Sequence, residues 1–442
     1  MNRKHVIVVG GGAIGTAAAY YLAKADWRVT LLDKDRQGEG GTSGNCGLIS
    51  PSHVRPLNEP GAVRKTLKAM CQPGSPLYIK PRIDPGLWWW LAQFARRCTS
   101  SAMLRSARAL HPLLQASASE LRKVLDAEEI QCDWQHRGCL FVYETPAGMA
   151  GYADVDRMLR EHFDEPATRY DGDAVVELEP ALQPGSVAGG WHYEDDGHLD
   201  PAKLLNEWRR VLESLDVTIH EQCKMEGFVQ RANAACAVMT NRGEMPADAF
   251  VVATGARTPL LARQLGCRVP VQPGKGYSRT LPRPDECPAI PMIFQERKVA
   301  VTPLAAGVRF GSTMEFSGYD PSLNPRRLSL LTETVKPFLK MFDPECAATA
   351  PTAAESPDDK PLDDKLLDDK PPDDKPWYGW RPMTVDSVPI IDHLPTMPNV
   401  VLATGHNMLG LTLSAITGRL VMEMLSGRVP LVPLEPYALS RF

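Results

Sequence analysis

The stretch HVIVVGGGAIGTAAAYYLAKADWRVTLLD, residues 5–33, reads as an apolar strand, a glycine turn, a helix and a second strand that ends in an acid. Val6–Val9 is short and β-branched, as a buried strand is. Gly10, Gly12 and Gly15 make G-x-G-x-x-G. In that pattern the first glycine permits a tight turn, the second lets the backbone approach a pyrophosphate, and the third lets helix and strand pack closely. The helix that follows directs free N–H groups and its positive end at the phosphates. Asp33 ends the second strand 18 positions after Gly15, where a carboxylate takes ribose hydroxyls. Strand, glycines, helix and acid together specify a dinucleotide cradle, where the glycines alone fit a packing turn equally well.

Two later segments repeat the strand-then-turn pattern. Asp248-Ala-Phe-Val-Val-Ala-Thr-Gly255 stops at one Thr-Gly turn, and Asn399-Val-Val-Leu-Ala-Thr-Gly405 stops at another, 150 positions on. His406–Thr412 then opens a helix that runs to about Gly427. Segments so far apart converge on one ligand if it is long, as FAD is. An NAD module needs only the first cradle. Between these pieces the sequence predicts helices over Leu87–Cys98 and Ala102–Ala127, and strands at Gly138–Tyr143, Gly190–His192 and Val217–His220. Asp200-Pro201 opens a helix, with Asp as N-cap and Pro at the first helical position. Val299–Pro303 and Gly307–Thr313 form a hairpin.

The chain has 442 residues, 43% of them hydrophobic, and a net charge of −4, which excludes a nucleic-acid binder of the basic kind. Ten cysteines lack C-x-x-C or zinc spacing, so no metal site is expected and a reducing, cytoplasmic setting is. No secretory signal is expected at the N-terminus, nor a membrane-spanning helix. Trp88–Trp90 reads as core packing, with a peripheral membrane face or a channel lining as the rival. Asp-Asp-Lys recurs at 358, 363, 368 and 373, a period that fits neither helix nor strand. Residues 347–376 therefore read as a disordered acidic insertion.

The remaining motifs carry a resemblance. Thr42-Ser-Gly-Asn-Cys-Gly-Leu-Ile-Ser-Pro-Ser-His53, Leu77-Tyr-Ile-Lys-Pro81, the tryptophan run, Trp377-Tyr-Gly-Trp-Arg-Pro-Met-Thr-Val-Asp386, Val388-Pro-Ile-Ile-Asp392 and the Thr404–Thr412 turn occur in an order that resembles the D-amino acid oxidase/glycine oxidase family, and within it the bacterial D-amino acid dehydrogenase branch. The resemblance implies an α/β fold: a Rossmann-like FAD-binding domain from residues 1–80, 195–265 and 377–442, and an α+β substrate domain with a mainly antiparallel sheet from residues 81–194 and 266–346. It implies oxidative deamination of a D-amino acid or a cyclic imino acid, with hydride passing from the α carbon to flavin N5. The electron acceptor (quinone, dye or O2) stays open. So do a 4-hydroxy-D-proline dehydrogenase, a sarcosine- or glycine-type oxidase, and a flavin subunit of a larger dehydrogenase.

By the same resemblance, FAD contacts fall on Gly10, Gly12, Ala13, Ile14, Gly15, Asp33 and Lys34, on Thr42, Ser43, Cys46, Gly47 and Leu48, on Met225 and Gly255, and on Gly405, His406, Asn407, Met408, Leu409, Gly410, Leu411 and Thr412. Cys46 raises the question of covalent attachment, but a segment that lies along a cofactor by its backbone needs only a small side chain there. Arg381 matches the family's carboxylate-binding arginine, whose planar fork a lysine cannot reproduce. His53 is placed to orient the substrate amine or to be a structural histidine, and Tyr277 to reach a ligand or to be a half-buried tyrosine. His198 packs at a helix entrance.

Overall fold

The computed structural model describes residues 3–36, 39–70, 75–343 and 376–442. The acidic insertion expected at 347–376 falls outside them except for Pro376.

The first sheet has six strands in the order Ile390–Leu394, Met397–Thr404, Ala249–Val252, His5–Val9, Arg28–Leu32 and Thr218–His220. All neighbours are parallel except the first pair. Its strands are apolar on both faces, as a covered parallel sheet requires. Val6, Val8, Val251 and Val401 enter one core, and Ile7, Val9, Val252 and Leu402 enter another. The helices Ala13–Lys24 and Ser414–Leu425 pack on the first of these cores together with the long helix Ser100–Ala127.

The second sheet runs Trp377–Thr384, Val271–Pro282, Gly307–Phe316, Val299–Leu304, Met292–Phe294, Cys139–Tyr143, Gly189–Tyr193 and Thr168–Asp171, with Leu77–Ile79 beside Gly307–Phe316. It is antiparallel apart from two parallel pairings. The predicted hairpin is there as Val299–Leu304 with Gly307–Phe316. Asp200 caps its helix, accepting from the backbone N–H of Ala202 at 2.8 Å and of Lys203 at 3.3 Å. His198 is buried where its two-residue strand pairs with Leu48 and leads into that helix.

Three expectations change. The helix expected from His406 begins only at Ser414. Gly405 and Asn407 both take positive φ, 76° and 53°, which a helix does not admit. The tryptophan run does not pack as a unit, since Trp90 is 4% exposed but Trp88 is 65% and Trp89 41%. A three-stranded antiparallel sheet, Met225–Arg231, Ala234–Thr240 and Gly243–Pro246, was not anticipated. Among the described residues no helix is long and apolar enough to cross a membrane, no group of side chains could hold a metal ion, and the cysteines are free thiols.

Candidate cofactor and substrate site

The cradle is built from backbone. Gly10 has φ 111°, and a Cβ on Gly15 would stand 1.8 Å from the Gly10 carbonyl oxygen, so the turn and the close approach both demand glycine. Gly12 occupies the N-cap of the first helix with no side-chain cap and no acid in the first turn. Among the described residues only the Thr42 hydroxyl reaches in, accepting from the Ala13 N–H at 3.3 Å. Ile14 continues the turn, half-buried. This positive helix end, with no acid in its own first turn, fits a pyrophosphate.

Asp33 closes the cradle. Its carboxylate accepts from the N–H of Gly11 at 2.6 Å and of Asp35 at 3.0 Å. Burial raises its pKa while those two N–H groups favour the ionised form. A carboxylate keeps further lone pairs for ribose hydroxyls. Lys34 turns aside to Asp35. The Cys223 N–H donates to the Asp33 carbonyl at 2.7 Å, which brings buried Met225 to the same end of the sheet.

The two Thr-Gly turns meet. The Thr404 hydroxyl donates to the Gly255 carbonyl at 3.0 Å, and Thr258 donates to Thr404 at 3.1 Å. From Gly405 the chain forms a turn held by Asn407. Its side chain accepts from the Thr384 N–H at 2.9 Å and donates to the Thr384 hydroxyl at 3.1 Å and the Gly405 carbonyl at 2.8 Å. Its own N–H donates to the Pro382 carbonyl at 3.1 Å. His406 is buried against the Thr417 hydroxyl, and burial lowers its pKa to about 3. Met408 is exposed, Leu409 and Gly410 are half-buried, and Leu411 is buried. Thr412 donates to the Leu48 carbonyl at 3.2 Å and accepts from the Ser50 N–H at 3.3 Å. The turn is thus hydrogen-bonded at one end to Leu48, through Thr412, and at the other to the strand that carries Arg381, through Asn407.

The second sheet sits on the loop 42–48. Ser278 donates to the Gly44 carbonyl at 2.7 Å. Arg309 donates to the carbonyls of Ser43 at 3.1 Å and Asn45 at 2.7 Å. Cys46 packs against Gly311, where a Cβ would fall 2.2 Å from its sulfur. Burial raises the thiol's pKa against the pull of Arg309 and Arg381, so it stays protonated and a poor nucleophile. Gly47 has φ 75° and accepts from the Leu199 N–H at 3.0 Å. Arg309 gave no sequence signal, because an arginine at an alternate strand position reads as solvent-facing.

Arg381 lies on the strand that faces this loop. Its Nη1 donates to the Thr313 carbonyl at 2.8 Å. Among the described residues no carboxylate pairs with it, and burial pushes its pKa below the ordinary guanidinium value. A half-buried guanidinium with no carboxylate beside it suits an anionic ligand.

His53 is also oriented by its loop. Buried Asp196 accepts from the Ser52 N–H at 3.1 Å and the Ser52 hydroxyl at 2.8 Å. The His53 ring stands edge-on to Phe141 at 5.5 Å, and its Nδ1 is buried without a partner among the described residues. Burial lowers its pKa to about 4. Tyr277 is not brought to Arg381. Arg381 pairs with Gly274 and Tyr277 with Tyr378, an odd step along the ladder, so the two side chains leave opposite faces. Tyr277 donates instead to Glu315 at 3.1 Å, beside Lys275 and Arg327.

Comparison with known proteins gives the family. The family described as "FAD dependent oxidoreductase" (DAO) matches residues 5–424. The D-amino acid dehydrogenases of Granulibacter bethesdensis and Paramagnetospirillum magneticum are each 32% identical to this chain over 99% of its length, covering 99% and 98% of their own. The fold is similar to that of glycine oxidase from Geobacillus kaustophilus (TM-score 0.75, 18% identity, all of both chains). It is also similar to L-proline dehydrogenase from P. horikoshii (TM-score 0.68, 18% identity, 100% of this chain and 98% of that one). With the cradle, the joined Thr-Gly turns and the seated loop all present in one molecule, this chain belongs to the DAO family of FAD-dependent oxidoreductases.

Proposed function

We propose that this chain is a dehydrogenase for a D-amino acid or a cyclic D-imino acid, with Arg381 as the carboxylate anchor. The observation that carries the reading is the half-buried Arg381 guanidinium, which no carboxylate among the described residues pairs with. The names of the relatives at 32% identity support the D configuration. FAD, when bound, supplies the acceptor for the hydride that leaves the α carbon. The protein's part is to hold the substrate still, and positioning of this kind provides much of a rate enhancement. Arg381 fixes the carboxylate. His53, neutral at ordinary pH because of its burial, offers Nδ1 to orient the substrate amine without adding a charge beside it. The imine that results hydrolyses to a 2-oxo acid and ammonia, while a cyclic imine is released.

The test is anaerobic bleaching of the flavin band across D- and L-amino acids, prolines and sarcosine. Bleaching by D-substrates at rates above their L-enantiomers is expected. Bleaching by the L-series alone overturns the reading. Peroxide yield in air, against reduction of a quinone, separates oxidase from dehydrogenase.

We further propose that the protein works at the cytoplasmic face of a membrane and passes its electrons to a lipid-borne quinone. Exposed Trp88 and Trp89 amid basic residues support this.

A further inference from the structure

Opposite Gly276, the strand Gly307–Phe316 carries one residue too many. Tyr277 pairs with Ser312 and Lys275 with Glu315, so Gly276 alone faces Thr313 and Met314. The strand changes neighbours at this bulge: Ser312 still pairs with Val299, whereas Met314 pairs with Leu77. Thr313 takes φ 59°, a region that is strained for a β-branched residue, and its hydroxyl is buried without a partner among the described residues. The strain has a visible use, since the bulge turns the Thr313 carbonyl onto Arg381 Nη1. Across the ladder, a Cβ on Gly276 would stand 2.2 Å from Nη1 and 2.4 Å from Cζ and Nη2 of the same guanidinium.

We infer that the Thr313 bulge and Gly276 form a seat that fixes the plane of the Arg381 guanidinium, making both of them positioning residues for carboxylate binding. The inference rests on Arg381 being the carboxylate anchor. No carboxylate among the described residues holds the Arg381 fork in register, so backbone must do it. One nitrogen is held by a carbonyl, and the missing side chain at Gly276 leaves room for the plane. Preorganisation of this kind raises affinity by removing an ordering cost from the binding step.

The test uses the FAD-loaded protein and propionate, a carboxylate that lacks the reacting amine. Propionate binding is read from perturbation of the flavin band, with FAD content and Tm recorded for each variant. Gly276→Ala is expected to weaken propionate by about tenfold or more, and to raise KM for the amino acid more than it lowers kcat. In the Arg381→Leu background the same substitution is expected to cost nothing further, because the Cβ then has no guanidinium to displace. Equal losses in both backgrounds, or no loss in either, overturn the seat. Should Gly276→Ala alone fail to fold, recovery of folding in the Arg381→Leu background supports the seat, and failure in both overturns it. If Arg381→Leu itself leaves propionate binding unchanged, the anchor reading fails first, and that outcome is distinct from the others.

Discussion

At the scale of single residues, the site is governed by charges that the fold has buried. On the proposed anchor role, Arg381→Leu should lower kcat/KM roughly a hundredfold or more, the scale for truncating one side of a desolvated, hydrogen-bonded charge pair. FAD content should stay at the wild-type level, measured by absorbance, because the cradle lies elsewhere. Asp196 makes a second prediction. Burial raises its pKa to about 7 while Ser52 pulls the other way. Between the ordinary carboxylate range and pH 7 the folded state holds this proton and the unfolded state does not, so the group's contribution to stability declines as pH rises through that window. Asp196→Asn should therefore gain in Tm relative to wild type from about pH 4 to pH 7 and hold the gain above. A difference that is flat with pH would refute this. Arg381 stands out in the sequence because Trp-Arg-Pro-Met-Thr is a local string. Thr313 and Gly276 were not, because a bulge is a mismatch between two strands and exists only once their register is set. The separation of Tyr277 from Arg381 is hidden for the same reason, since a sequence does not say which face of a strand a residue takes.

At the scale of elements, adjacency separates what the sequence revealed from what it hid. The cradle was readable because strand, turn, helix and second strand are contiguous and each carries its own signal. The hairpin Val299–Leu304 with Gly307–Phe316 was readable for the same reason. The pairing of Val271–Pro282 with Trp377–Thr384 joins segments about a hundred positions apart, and nothing local announces it. The stretch after Gly405 leads into a helix in the sequence, but the left-handed Asn407 keeps it a turn until Ser414. That asparagine now carries the element. Asn407→Ala removes three side-chain hydrogen bonds inside a buried turn and places alanine at φ 53°. A loss of about 2–3 kcal/mol is expected, from unsatisfied partners and backbone strain together. FAD affinity should fall with it, since the turn ties the loop at Leu48 to the Arg381 strand. Asn407→Gly should recover part of the stability by relieving the strain. Chemical denaturation and FAD titration measure both effects, and full stability in Asn407→Ala would show that the turn is held by its neighbours instead.

At the scale of the whole molecule, charge and apolar surface are unevenly distributed. The chain is net −4, yet residues 55–97 carry eight Lys and Arg against two acids. The same stretch holds Ile83 at 98% exposure, Trp88 at 65% and Leu67 at 61%, with Leu57, Tyr78 and Trp89 exposed beside them. Arg268 stacks over Trp89 at 5.5 Å, which adds a further cation to the rim. A cleft of about 420 Å³ adjoins the patch through Arg82 and Leu260. Exposed indoles among lysines and arginines suit the headgroup layer of an anionic bilayer, where the rings enter the interface and the cations meet lipid phosphates. The protein should therefore sediment with phosphatidylglycerol vesicles and not with phosphatidylcholine vesicles, and added salt should release it. Trp88→Ala with Trp89→Ala should reduce the partition coefficient by about tenfold or more, from the apolar area withdrawn from lipid. Turnover with a soluble dye should be unaffected, because neither tryptophan touches the cradle or Arg381. Equal binding to neutral and anionic vesicles would remove the electrostatic part of the argument. An unchanged partition in the double variant would move the contact to another face.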